Sequence, residues 1–147
     1  MRKSKRIYLI GSLRNPEVCI LADSLREQGF EVFDSWMAAG PEADDWWMRY
    51  EKERGHSYAQ ALDGYAAKHV FEFDKYHLDR SGIGILLLPA GRSGHLELGY
   101  MKGQKKRCYI WKTPQTEPDR WDVMYRFADA VVSDMASFLR AHRGGKR

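Results

Sequence analysis

Seven consecutive residues, Gly82 to Leu88 (GIGILLL), carry no polar side chain and end at Pro89. A strand with one wet face alternates apolar and polar side chains. This one does not, so the segment 82–89 predicts a central strand of a parallel sheet with helices on both faces. The segments around it fit that frame. RIYLIG (6–11) reads as a second buried strand. NPEVCILADSLREQG (15–29) reads as a helix with Asn15 as N-cap, Pro16 at the first helical position and Gly29 at the stop. Val18, Leu21, Ala22 and Leu25 line its apolar face. FEVFD (30–34), KRCYIW (106–111) and a short ADAVV predict further strands. Helices are predicted from paired acids capping a start near Trp46, over 57–80 with a break near Gly64 or His69, over HLELGYMKGQ, and over SDMASFLRAH. In the HLELGYMKGQ helix, Leu96, Gly99, Tyr100 and Gly103 are expected toward the sheet. Strand and helix alternate throughout, which gives an α/β fold with right-handed crossovers.

A chain of 147 residues with 44% hydrophobic and 30% charged residues suits one self-supporting domain, 1–147, with no repeat or linker to divide it. The net charge is +4, but the excess concentrates in the basic ends, 1–5 and 143–147, expected to be mobile. No base-reading motif accompanies them, so polymeric nucleic acid is not an expected partner. The apolar runs are too short for a membrane span or a secretory signal, and a cytoplasmic location is expected. Cys19 and Cys108 lack metal-binding spacing and read as buried, reduced thiols.

In a doubly wound sheet, ligands bind beyond the carboxyl ends of the strands, where strand order reverses. The loops after the first and third strands would meet there. They bring Gly11, Ser12 and Arg14 from one side, and Gly91, Arg92, Ser93 and Gly94 from the other. Glu97 follows in what reads as the first helical turn. A carboxylate there can serve helix electrostatics, or stay ionised as a nucleophile; both readings stand. Asp74, preceded by Phe71 and Phe73, can sit at the edge of an apolar pocket that raises its pKa, whereas Asp79 lies nearer the helix end. An ionised and a protonated carboxyl flanking a sugar–base bond are the equipment for retaining glycosidic cleavage. Trp36, Trp46, Trp47 and Tyr50 offer flat faces for a nucleobase, or pack as core. Tyr8 is either core or a hydroxyl at the sheet mouth. The five histidines have no triad or metal spacing and read as structural or exposed.

IYLIGS, FEFDKYHLDRS and SGHLELGYMKG, in that order, resemble the nucleoside 2-deoxyribosyltransferase family, which includes the nucleoside 5′-monophosphate N-glycosidases. The resemblance implies a five-stranded flavodoxin-like parallel sheet. It implies Glu97 as nucleophile, Asp74 as the acid that assists the leaving base, and Tyr8 as the hydroxyl that orients the nucleophile. It also implies a homodimer or larger homo-oligomer whose active site is shared, with Asp122 and Met124 of WDVMY reaching a neighbour's site. The substrate would be a small nucleoside or nucleotide, without metal or organic cofactor. Two departures divide the family reading. The transferases carry a sugar-binding aspartate where this chain has Gly91, and the glycosidases present a hydroxyl where it has Asp122. Asp122 disfavours a phosphate, so the transferase is the expected activity and the monophosphate hydrolase the alternative. A non-catalytic nucleotide-binding module is a further alternative.

Overall fold

The computed structural model describes residues 5–116 and 121–144; most of the two basic ends therefore lies outside the described residues. Five parallel strands form one sheet: β1 (Arg6–Ile10), β2 (Glu31–Phe33), β3 (Ile83–Leu87), β4 (Arg107–Trp111) and β5 (Ala130–Val132). Their order, β2-β1-β3-β4-β5, is the flavodoxin-like one, and it reverses direction between β1 and β3. The helices are α1 (Glu17–Glu27), α2 (Ala43–Glu53), α3 (Tyr58–Leu62), α4 (Tyr65–Arg80), α5 (Arg92–Gly103) and α6 (Met135–Gly144). Short 3₁₀ turns occupy Ser35–Ala39, Pro114–Thr116 and Val123–Phe127.

The pleat sorts the core into two layers. Ile7, Leu9, Ile83, Ile85, Leu87, Tyr109 and Trp111 pack with Val18, Ala22 and Leu25 of α1 and Phe138 of α6. Tyr8, Ile10, Leu86, Cys108 and Ile110 pack on the other face with Leu78 of α4 and Leu98 and Met101 of α5. All five residues of β3 are buried, as its unbroken apolar run requires. Gly84 has a spatial reason. A Cβ there would stand 2.7 Å from the Met101 sulfur, so its absence lets α5 lie close to β3.

Several local expectations are corrected. Pro16 is itself the N-cap of α1, and Asn15 instead receives the Glu17 backbone N–H on its side chain at 3.0 Å. The second helix starts at Ala43, which places Asp44 and Asp45 inside its first turn rather than at its cap. The break in 57–80 falls at Gly64, after a capping box between Ser57 and Gln60 that starts α3. α5 starts at Arg92 and buries Gly94, Leu98 and Met101, whereas Leu96 and Gly99 are exposed. Cys19 is exposed and Cys108 buried, both as free thiols. No helix among the described residues is long and apolar enough to cross a membrane.

Candidate active site

The group of titratable side chains beside β1 and β3 is built by the seating of α5. Gly91 is its N-cap, in extended conformation, with no side-chain capping bond. A Cβ on Gly94 would lie 3.0 Å from Leu86 and 3.1 Å from Ile10, so the first turn rests directly on the sheet. Glu97, three residues on, shares that flank and meets Tyr8 of β1. Asp74, from α4, is the third member of the group.

Glu97 lies in the second turn of α5, beyond the reach of the helix terminus. Burial dominates its charge state. Burial first, and then the negative charge of Asp74, raise the Glu97 carboxyl to about 8, although a hydrogen bond from the Tyr8 hydroxyl lowers it. Burial raises Asp74 to about 6. The phenol of Tyr8, 1% exposed, is pushed above its ordinary value by burial and then by the two carboxylates. This corrects the expected charge order: near neutrality the unliganded pair holds one proton, on Glu97, and Asp74 is the more ionised. Tyr8 is core and hydrogen-bonding group at once, its hydroxyl turned toward α4 and α5. Asp79 is committed elsewhere. It accepts hydrogen bonds from Tyr100, Lys75 and Gln104, which hold its carboxyl near 2.

The two mouth loops differ in what their arginines do. Arg14 donates to Asp45 at 3.0 Å and to the Pro41 carbonyl at 3.3 Å, tying the loop after β1 to the start of α2. The Ser12 hydroxyl accepts the Arg14 backbone N–H at 3.1 Å. Gly11 leaves room for Val18: a Cβ would stand 2.9 Å from its side chain, so one of the two would have to shift. Gly91, Arg92 and Ser93 are exposed, with Gly94 buried beneath them. No ion pair engages Arg92 among the described residues.

Asp122 and Met124 lie on the opposite flank of α5. They line a cavity of about 400 Å³ with His95, Leu98, Lys102, Tyr125 and others, but without Glu97 or Asp74. The Asp122 carboxylate caps its own 3₁₀ turn, accepting the Met124 N–H at 2.8 Å. His95 bridges the two segments. Its Nδ1–H donates to the Gly91 carbonyl at 2.8 Å, and its Nε2 hydrogen-bonds with the Tyr125 hydroxyl at 2.9 Å.

The aromatic group after β2 does not form one shelf. Trp46 is exposed, with the Arg49 guanidinium 4.5 Å from its ring centre. Trp47 packs edge-on to Tyr58. Arg54 covers Tyr50 at 3.6 Å. Trp36 donates from Nε1 to the Leu9 carbonyl at 2.8 Å and packs against both core layers.

The sequence reading missed a different aromatic group. Phe33 sits level with Tyr8 on the neighbouring strand, their ring centres 5.1 Å apart. His77 stacks flat on Phe33 at 3.9 Å and 12°, and Phe73 closes the group at 5.9 Å from Phe33. The signal was available in part: Phe33 lies in the strand predicted over 30–34, next along the chain after the Tyr8 strand and its helix, and Phe73 and His77 are four apart on a helix.

No protein-family model matches the sequence, and no curated protein matches it. Among solved structures, the chain is similar to the CMP N-glycosidase BcmB of Clostridium botulinum. The TM-score is 0.55 at 13% identity, and the match covers 95% of this chain and 99% of that one. At that identity the likeness is one of fold alone, a five-stranded flavodoxin-like domain, and it does not show the deoxyribosyltransferase family.

Proposed function

We propose that the protein cleaves the N-glycosidic bond of a nucleoside 5′-monophosphate, by way of a glycosyl ester on Glu97. The observation that carries this reading is the buried Glu97–Asp74 pair with the Tyr8 hydroxyl on Glu97. Between about pH 6 and 8 the pair holds one proton and one negative charge, the stoichiometry the cleavage needs. With substrate bound, the proton passes from Glu97 to Asp74, which delivers it to the departing base as the freed Glu97 carboxylate bonds to C1′ and the C1′–N bond breaks. Water then attacks C1′, gives its proton to the Asp74 carboxylate, breaks the ester and returns the Glu97 carboxylate. Tyr8 holds the attacking oxygen in line. No metal or organic cofactor enters these steps.

Three features support a monophosphate over a free nucleoside. The N-terminus of α5 is uncapped by any side chain, Arg92 stands exposed beside it, and Gly91 lacks the carboxylate a transferase would direct at the sugar. A solved structure of similar fold is a CMP N-glycosidase. Asp122 lines a cavity that does not include Gly91–Gly94, and its carboxylate accepts the Met124 N–H. In a homo-oligomer, Asp122 and Met124 would enter a neighbour's site instead.

The test is chromatography of free base released from deoxynucleosides and their 5′-monophosphates, with and without an added acceptor base. Release from monophosphates that Glu97→Ala abolishes supports the reading, and equal release by that variant refutes it. Base exchange with nucleosides would favour the transferase. Arg92→Ala is expected to slow monophosphates more than nucleosides.

A further inference from the structure

We propose that Phe33 is a positioning residue: its ring, held between Tyr8 and the His77 imidazole, fixes the direction in which the Tyr8 hydroxyl meets Glu97. The role of Glu97 rests on the reading above, but the contact between Phe33 and Tyr8 does not.

A tyrosine in mid-strand can turn about its side-chain bonds unless packing stops it. Tyr8 shares its buried layer with the aliphatic Ile10, Leu86 and Leu98. Those aliphatic groups fill space without presenting a flat face. Phe33 presents one. The parallel register sets it directly opposite Tyr8, with ring centres 5.1 Å apart and planes inclined at 41°.

Phe33 would be loose at the end of a three-residue strand if nothing held it. His77 lies flat on it at 3.9 Å, and Phe73 meets both rings from one helical turn earlier. Burial, then Arg80 and Arg6, lower the pKa of His77, so the stacked ring is neutral. Phe73 immediately precedes Asp74. One aromatic group therefore braces Tyr8 on β1 and the α4 turn that carries Asp74.

The experiment titrates the Glu97 side-chain carboxyl by NMR in ¹³C-labelled protein, assigned by its absence in Glu97→Gln; no substrate is involved. Tyr8→Phe removes the hydrogen bond that lowers this carboxyl, so its midpoint rises, by about one unit for a hydrogen bond to a charged acceptor. Phe33→Leu keeps the site apolar but removes the flat ring, and is expected to raise the midpoint in the same direction. Added to Tyr8→Phe, it is expected to produce no further rise, because both act through one bond. Phe33→Tyr keeps the ring and is expected to keep the parent midpoint. The inference is overturned if Phe33→Leu folds and leaves the midpoint in place, if its effect adds in full to that of Tyr8→Phe, or if Phe33→Tyr shifts it as far as leucine does. Loss of the proposed activity with these titrations intact would refute the enzyme reading and leave the positioning role standing.

Discussion

A carboxyl that burial keeps protonated makes the native chain hold protons the unfolded chain releases. Glu97 keeps its proton up to about pH 8 and Asp74 up to about 6, while in the unfolded chain both ionise near 4. Between those limits the native state binds more protons, so stability falls as pH rises. The advantage is complete below the unfolded values and is lost through 6 and then 8. Glu97→Gln is therefore expected to be more stable than the parent at pH 9, by roughly 1–3 kcal/mol, with a much smaller difference at pH 5. Urea unfolding at the two pH values measures it; an equal difference at both would contradict a protonated Glu97. The same pair sets the rate profile. Below about 6 both carboxyls are protonated and no nucleophile remains, and above about 8 both are ionised and no acid remains. The ratio kcat/KM for base release is expected to be bell-shaped between those limits.

At the scale of elements, the seating of α5 decides whether those side chains meet. Gly94→Val would force methyl groups against Leu86 and Ile10 and lift the first turn. An overpacked core position of this kind costs roughly 1–3 kcal/mol, read by chemical denaturation, and here also displaces Glu97. Ile85→Ala, in the fully buried centre of β3, is expected to cost roughly 2–5 kcal/mol by leaving a cavity. Such elements were legible because their cause is local: an unbroken apolar run or a Pro near a helix start. What was not legible depended on partners distant in sequence. The start of α5 moved to Arg92 because Gly94, not Leu96, fits the sheet, and Glu97 lost its place in the first turn with that shift. Its charge state then followed from burial, from the charge of Asp74 and from the Tyr8 hydrogen bond, which no spacing within the helix reveals. Glu97, Asp74 and Tyr8 could still be singled out in the sequence, and the structure brings the three together; Trp46 it leaves exposed on the surface against Arg49.

Across the whole molecule, exposed apolar side chains cluster beside the far flank of α5. Trp121, Val123, Met124 and Phe127 are 88%, 68%, 58% and 69% exposed, more than a lone chain has reason to show water. Self-association through this segment is expected, and Met124→Asp is expected to shift sedimentation toward the monomer and to weaken base release together. A fully active monomer at assay concentration would exclude a shared site. The two sides of the sheet meanwhile carry unequal burdens. Tyr8, Asp74, Glu97, Phe33 and His77 all belong to the α4 and α5 side, while the layer under α1 and α6 holds none of them. A saturation library scored separately for abundance and for turnover should thus divide along the sheet plane. Changes beneath α1 and α6 would lower both scores in proportion, and only the other side would yield variants that accumulate well yet do nothing.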